Sequence, residues 1–202
     1  MAKVRRFGNT WWGKAWLDAL EQRALVDPNR LPRGRTYARQ DRVCEIELSP
    51  GELRAQVWGT REDPYTTTLS MRVLTKAEWD TILELAMNKA SNIAALLAGE
   101  VPREIGDHVL PGRGDLGPVC SCPDWAEPCK HAAALCYVAA DMLDADPFAL
   151  LTLRGRSRDA VLTEVRARRS ERLGVDLTTS SDQPRGAAPT ISGSQAFRRQ
   201  TV

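Results

Sequence analysis

No stretch of this 202-residue chain approaches the roughly 18 uninterrupted apolar residues of a membrane span, and the opening MAKVRRFGNTWWGKAW lacks the apolar run of a secretion signal. A membrane-crossing helix is therefore excluded, and a cytoplasmic location is expected. No segment matches GxxxxGK[ST], so an ATP-driven motor within the chain is excluded. No period of about 20 to 50 residues recurs, which excludes solenoids and propellers. Cysteine is scarce, at five residues. Thiols stay reduced in the cytoplasm, so these five read as metal ligands plus leftovers and not as a disulfide framework. From Gly174 onward almost nothing apolar remains to be buried, and a disordered tail over 174–202 is expected.

What is present is enough for one sizeable core, since 43% of residues are hydrophobic. The net charge of +2 conceals a division along the chain. Residues 1–42 hold 10 Lys/Arg against 4 Asp/Glu, residues 43–119 hold 7 against 12, residues 120–153 hold 1 against 5, and residues 154–173 hold 7 against 3. Two basic segments flank an acidic middle, and a polyanionic partner would meet the former.

Hydrophobic periodicity sets the expected elements. Asn9 or Thr10 can cap a helix running to about Leu25, with Trp12, Trp16 and Leu20 on one face. DPNRLPRGRTYARQ, rich in Pro, Gly and Arg, reads as a loop. Residues 43–48, 53–59 and 65–74 alternate or are rich in β-branched side chains, and SPGE and TREDP turn between them, which predicts an antiparallel meander. In regular alternation Val43, Glu45 and Glu47 share one face and Cys44, Ile46 and Leu48 the other. Thr75 and Glu78 form a capping box for a helix over 75–90, on which Trp79, Ile82, Leu83 and Ala86 recur at helical spacing. A shorter helix restarts at Ser91 and is ended by Gly99 and Pro102, and 103–119 read as a linker. The stretch from Lys130 to about Leu143 is apolar nearly all round and must pack on most sides. A short turn follows Pro147, and Ser157 can cap a last, Arg-rich helix to about Leu173.

Chemistry concentrates in CSCPDWAEPCKH, where Cys120 and Cys122 stand one residue apart, six residues follow, and Cys129 and His131 again stand one apart. Zinc takes four N or S ligands in a tetrahedron, and structural sites leave no position open to water. Three thiolates and an imidazole fill such a site. The first pair forms one arm of a pincer on a strand, and the second lies at a helix start, where free N–H groups and the helix dipole favour thiolate. The second ring nitrogen of His131 should meet an acceptor. A catalytic zinc would need an open position and a base, for which Glu127 or Asp124 could serve, and a redox switch through thiolate oxidation is a further alternative. Cys136 and Cys44 read as core and His108 as solvated. Trp12 and Trp16 read as core ahead of a base-stacking surface with Trp11, and Trp125 as a cover for the metal's shell.

CxC, a variable spacer and CxH form the pattern of the SWIM zinc-finger family, which these four residues resemble position for position. RGRTYAR at 33–39, VWGTREDPY at 57–65 and DPFALLTLRGR at 146–156 are similar to bacterial SWIM proteins of actinobacteria. The resemblance implies one structural zinc ion, contacts with proteins and with DNA or RNA, and a helicase partner of the SWI2/SNF2 class. An acidic finger is poorly suited to a phosphate backbone. The candidate nucleic-acid residues are instead Arg33, Arg35 and Arg39, with Arg154, Arg156, Arg158, Arg166, Arg169 and Arg172, Arg168 adding to that patch.

The chain is thus expected to be an α+β protein: a small antiparallel β-meander packed with helices over 1–115, and a CxC…CxH zinc finger leading into C-terminal helices over 116–173. Its expected role is that of a non-enzymatic adaptor, with a zinc-dependent hydrolase or nuclease as the alternative.

Overall fold

The computed structural model describes residues 6–24, 31–124 and 127–174. The expectations for Trp125 and for the tail beyond Gly174 lie outside the described residues.

Helix α1 (Trp11–Ala19) begins where the Thr10 hydroxyl accepts from the Gly13 N–H, and it runs on into a π turn over Leu20–Ala24. Trp12, Trp16 and Leu20 are buried on one face, as the four-residue recurrence required. The indole of Trp16 donates to the Cys136 carbonyl at 3.0 Å and that of Trp12 to the Val101 carbonyl at 3.2 Å. Both indoles are core side chains with satisfied N–H groups, not a stacking surface. Gly13 is explained by close approach: a Cβ there would lie 2.2 Å from the Asp144 carboxylate, which accepts from the N–H and hydroxyl of Thr10 at 2.8 and 2.6 Å.

Residues expected as a loop form helix α2 (Leu31–Arg39). Local signals misled here for two reasons. Pro32 falls in the first turn, where its missing N–H costs nothing. Gly34 is a packing residue: a Cβ would meet the Ala133 Cβ at 2.4 Å and the Ala134 N at 2.6 Å. Alanine would gain about 1 kcal/mol in helix propensity, but overpacking a close contact costs up to about 3 kcal/mol, so packing decides the residue. Gly34→Val is expected to destabilise the zinc-loaded chain by about 3 kcal/mol and lower its melting temperature by roughly 10 °C in a thermal melt.

Strands β1 (Val43–Ser49), β2 (Glu52–Val57), β3 (Tyr65–Met71) and β4 (Leu116–Cys120) form one antiparallel sheet in that order. The meander is as expected, but the alternation along β1 is broken. A bulge between Cys44 and Glu47, with Glu45 at φ +49°, inserts one residue, which leaves Ile46 exposed and Cys44 only half-buried. The supposed linker 103–119 is structured too: Arg103–Ile105 make a 3₁₀ turn, Gly106–Val109 a short helix α5, and Leu116–Cys120 pair with β3. β4 escaped detection because Gly117 and Pro118 disguise it. Proline is tolerated on an edge strand, and pairing with β3, not propensity, makes the strand.

Helices α3 (Lys76–Ala86) and α4 (Ala90–Ala98) follow the sheet in chain order. The Thr75–Glu78 capping box is formed, and α4 ends at Gly99 with φ +90°. Helix α6 (Lys130–Ala145) is the central element: Leu135, Cys136, Ala140 and Leu143 are buried among neighbours from α1, α2 and the sheet. Helices α7 (Phe148–Leu153) and α8 (Arg158–Leu173) close the described fold. No helix among the described residues is long and apolar enough to cross a membrane.

Candidate metal centre

Cys120 is the last residue of β4, Cys122 lies in the bend just after it, and Cys129 caps α6 while His131 occupies its first turn. The two pairs approach from strand and helix as the spacing required, although only the first cysteine lies within the strand. Their ligand atoms all fall within 4.8 Å of one another. Nδ1 of His131 stands 3.8 Å from the Cys120 sulfur and 3.9 Å from the Cys129 sulfur. Zinc bonds of about 2.3 Å to sulfur and 2.0–2.1 Å to nitrogen imply donor separations of about 3.5–3.8 Å. The two distances from the imidazole lie within a few tenths of an ångström of a tetrahedral zinc site, and the four donors together need to close by no more than about 1 Å.

The thiols are electrostatically incomplete without a cation. A hydrogen bond from the Cys129 thiol brings Cys120 down to about 3; burial opposes this, while His131, Thr67 and the Cys122 N–H pull with it. Cys129 is pushed up by that adjacent thiolate and by burial, and Cys122 is raised, mainly by burial. One sulfur ionises at its neighbours' expense, and a divalent cation is what allows all three to be thiolates.

The surrounding shell came from positions the sequence reading had passed over. Thr67, fully buried on β3 and paired across the sheet with Cys120, donates its hydroxyl to that sulfur at 3.4 Å. The Cys129 sulfur accepts from the Ala132 N–H at 3.4 Å. The rings of Tyr65 and Tyr37 lie 4.7 and 5.3 Å from the imidazole. The expected acceptor for the second ring nitrogen is not found: Nε2 is buried without a hydrogen-bond partner among the described residues, and a Cβ on Gly59 would lie 3.3 Å from it. Aromatic packing orients this histidine where hydrogen bonding usually does. No local signal marks Thr67, Tyr65 or Gly59, because each reaches the centre through the sheet.

The other sequence candidates fare differently. Cys136 is core, its thiol pushed up to about 12 by burial, and His108 is exposed. Arg33 and Arg39 are exposed on α2, while Arg35 is half-buried and lies 3.4 Å from Glu21. Arg154 must be withdrawn from any surface. It is 1% exposed and donates to the carbonyls of Val109, Arg72 and Leu110 and to Asp115 at 2.7 Å. Arg156 stacks on Trp79 and Arg158 on Phe148, at 5.1 and 4.7 Å. Arg172 turns to α3, donating to Glu84 at 2.6 Å and to the Met87 carbonyl, and Arg168 binds Asp80, Glu84 and Glu164. Arg166 and Arg169 are exposed. Of the expected C-terminal patch Arg154 is buried, Arg168 and Arg172 fasten α8 to α3, and Arg158, Arg166, Arg169 and Arg172 remain exposed. Asp124 and Glu127 line a cleft of about 100 Å³ beside Cys120 and Cys129.

Comparison with known proteins agrees with this geometry. The family model of the SWIM zinc finger matches residues 108–140, which contain all four ligands. The chain is also similar to Uncharacterized protein Rv2102 of Mycobacterium tuberculosis (strain ATCC 25618 / H37Rv), at 38% identity over 170 residues, covering 80% of this chain and 61% of that protein. No solved structure matches. Three sulfurs and one imidazole nitrogen converging under that family's pattern make residues 108–140 a SWIM zinc finger with one structural zinc ion.

Proposed function

We propose that the chain is a non-enzymatic adaptor whose zinc fastens β4 to α6 and whose surface binds a protein partner, a helicase of the SWI2/SNF2 class, alongside DNA or RNA. The observation that carries this reading is the closed ligand set: four protein donors within 4.8 Å of one another leave no coordination position for substrate or water. The adjoining cleft of about 100 Å³ also falls below the roughly 300 Å³ at which small-molecule sites begin, which speaks against Asp124 or Glu127 as a catalytic base. The helicase partner is suggested by the family resemblance, and Arg33 and Arg39 on α2 with Arg166 and Arg169 on α8 are exposed basic groups that can meet nucleic acid. The zinc itself supplies cross-linking of strand to helix, and the chain's own residues supply contact.

Affinity purification of the zinc-loaded chain from its native cell, with and without nuclease, tests the reading. A helicase-class ATPase retained after nuclease treatment is the expected result. Recovery of nucleic acid alone, or hydrolysis of a phosphodiester that zinc removal abolishes while the chain stays folded, would refute it.

A further inference from the structure

Away from the zinc, three arginines converge on one small cleft. Arg6 and Phe7 precede α1, Leu17 lies on α1, Arg35 and Arg39 stand one helical turn apart on α2, and Tyr137 comes from α6; together they line a cavity of about 220 Å³. Among the described residues the lining carries three arginines and no carboxylate, and an acidic group outside it, Glu21, stands 3.4 Å from Arg35. Guanidinium groups gathered at one cleft favour an anion there. The walls are apolar and aromatic: Phe7 and Tyr137 pack with ring centroids 5.4 Å apart, and the Arg35 guanidinium lies 5.0 Å from the Tyr137 ring centroid. Tyr137 is 1% exposed, and its hydroxyl has no hydrogen-bond partner among the described residues. Burying a phenol without an acceptor is unfavourable, so this hydroxyl is a donor that an incoming acceptor would satisfy. Burial, opposed by Arg35, raises the pKa of this phenol and keeps the donor protonated.

We infer that this cleft is a binding site for a phosphomonoester group, gripped by Arg6, Arg35 and Arg39 and received by the Tyr137 hydroxyl. Guanidinium forks match phosphate oxygens in pairs. A phosphomonoester carries about −1.5 to −2 charge at neutral pH, which answers three arginines better than the single charge of a carboxylate or of an internal nucleic-acid phosphate. The volume admits such a group with a short apolar substituent and no more, since whole ligands of drug size need about 300 Å³ or above. Arg35 also reaches Glu21 at 3.4 Å, a long and half-exposed contact that an incoming phosphate can displace. No zinc ligand lines the site, but Arg39 is shared with the nucleic-acid surface of the adaptor reading, and the dinucleotide probe below separates the two.

Calorimetric titration of the zinc-loaded chain tests it, with inorganic phosphate, phenyl phosphate, a phosphotyrosyl peptide, benzoate and a phosphodiester dinucleotide as probes. Phenyl phosphate is expected to bind at least tenfold tighter than benzoate or the dinucleotide, and tighter than inorganic phosphate. The peptide arm separates the sources: tighter binding than phenyl phosphate assigns the group to a phosphorylated protein, and equal or weaker binding assigns it to a small ester. Arg35→Gln and Arg39→Gln should each weaken phenyl phosphate at least tenfold, and Tyr137→Phe at least threefold, with zinc content and melting behaviour retained. Binding within twofold of the parent in Arg39→Gln or Tyr137→Phe, or equal affinity for benzoate, would overturn the assignment.

Discussion

Replacing Cys129 by serine is expected to leave the purified chain with less than roughly a tenth of an equivalent of zinc and to lower its melting temperature by about 10 °C or more. Cys129 is 3% exposed, caps α6 and faces Cys120 at the end of β4, so its loss opens the join between sheet and central helix. Structural zinc sites are worth an apparent ~10–16 kcal/mol at neutral pH, comparable with the whole stability of a domain. Serine keeps the cap but is not a thiolate, so the effect isolates the metal bond from the helix end. Cys44→Ser, half-buried on the edge strand β1, is the control and should retain one equivalent. Elemental analysis beside a thermal melt reads both. Full zinc in Cys129→Ser, or its loss in Cys44→Ser, contradicts the assigned ligands.

Arg154→Met is expected to cost about 3–5 kcal/mol, the penalty for stripping the partner from a buried charge. Its guanidinium ties the end of α7 to the carbonyls of Arg72, Val109 and Leu110, and it holds Asp115 at 2.7 Å. Burial works to raise the Asp115 carboxyl, but the Gly112 N–H, Arg154 and Arg72 outweigh it and bring it down to about 2. A folded value below the ordinary 3.8 means that Asp115 stabilises the fold above about pH 4 and loses that contribution as the pH falls towards 2. Chemical denaturation of the parent should show a loss of stability through that window, and Asp115→Asn should flatten it. Adding Asp115→Asn to Arg154→Met should recover at least about 1 kcal/mol, because the carboxylate that has lost Arg154 and keeps only Arg72 and the Gly112 N–H is then gone. A double variant no more stable than Arg154→Met would mean that the two residues act independently.

The zinc ligands were legible because their spacing is itself the signal: pairs one residue apart, six residues between, on a strand end and a helix start. The meander, the Thr75 capping box and the all-round apolar α6 were legible for a similar reason, since each is a pattern of near neighbours. Helix α2 and strand β4 were not. Gly34 in α2 looks like a helix breaker until Ala133 is brought against it, and Gly117 and Pro118 in β4 look like a loop until β3 supplies hydrogen-bond partners. Arg154 misled in the opposite direction. An arginine in an Arg-rich segment reads as surface, and nothing local reveals that three carbonyls and Asp115 wait for it in the core.

By itself the sequence determined the donor set of the metal centre, the meander and the helix that carries the second ligand pair, because those depend on contacts within a few residues. Only the tertiary structure decided what surrounds the zinc, with Thr67 on a sulfur and Tyr37 and Tyr65 against the imidazole, and which arginines reach solvent. It alone gathered Arg6, Arg35, Arg39 and Tyr137 around one cleft. The reason is physical: burial and long-range pairing are properties of the packed chain, and a residue's own neighbours in sequence carry no record of the distant groups that will satisfy its charge or fill its space.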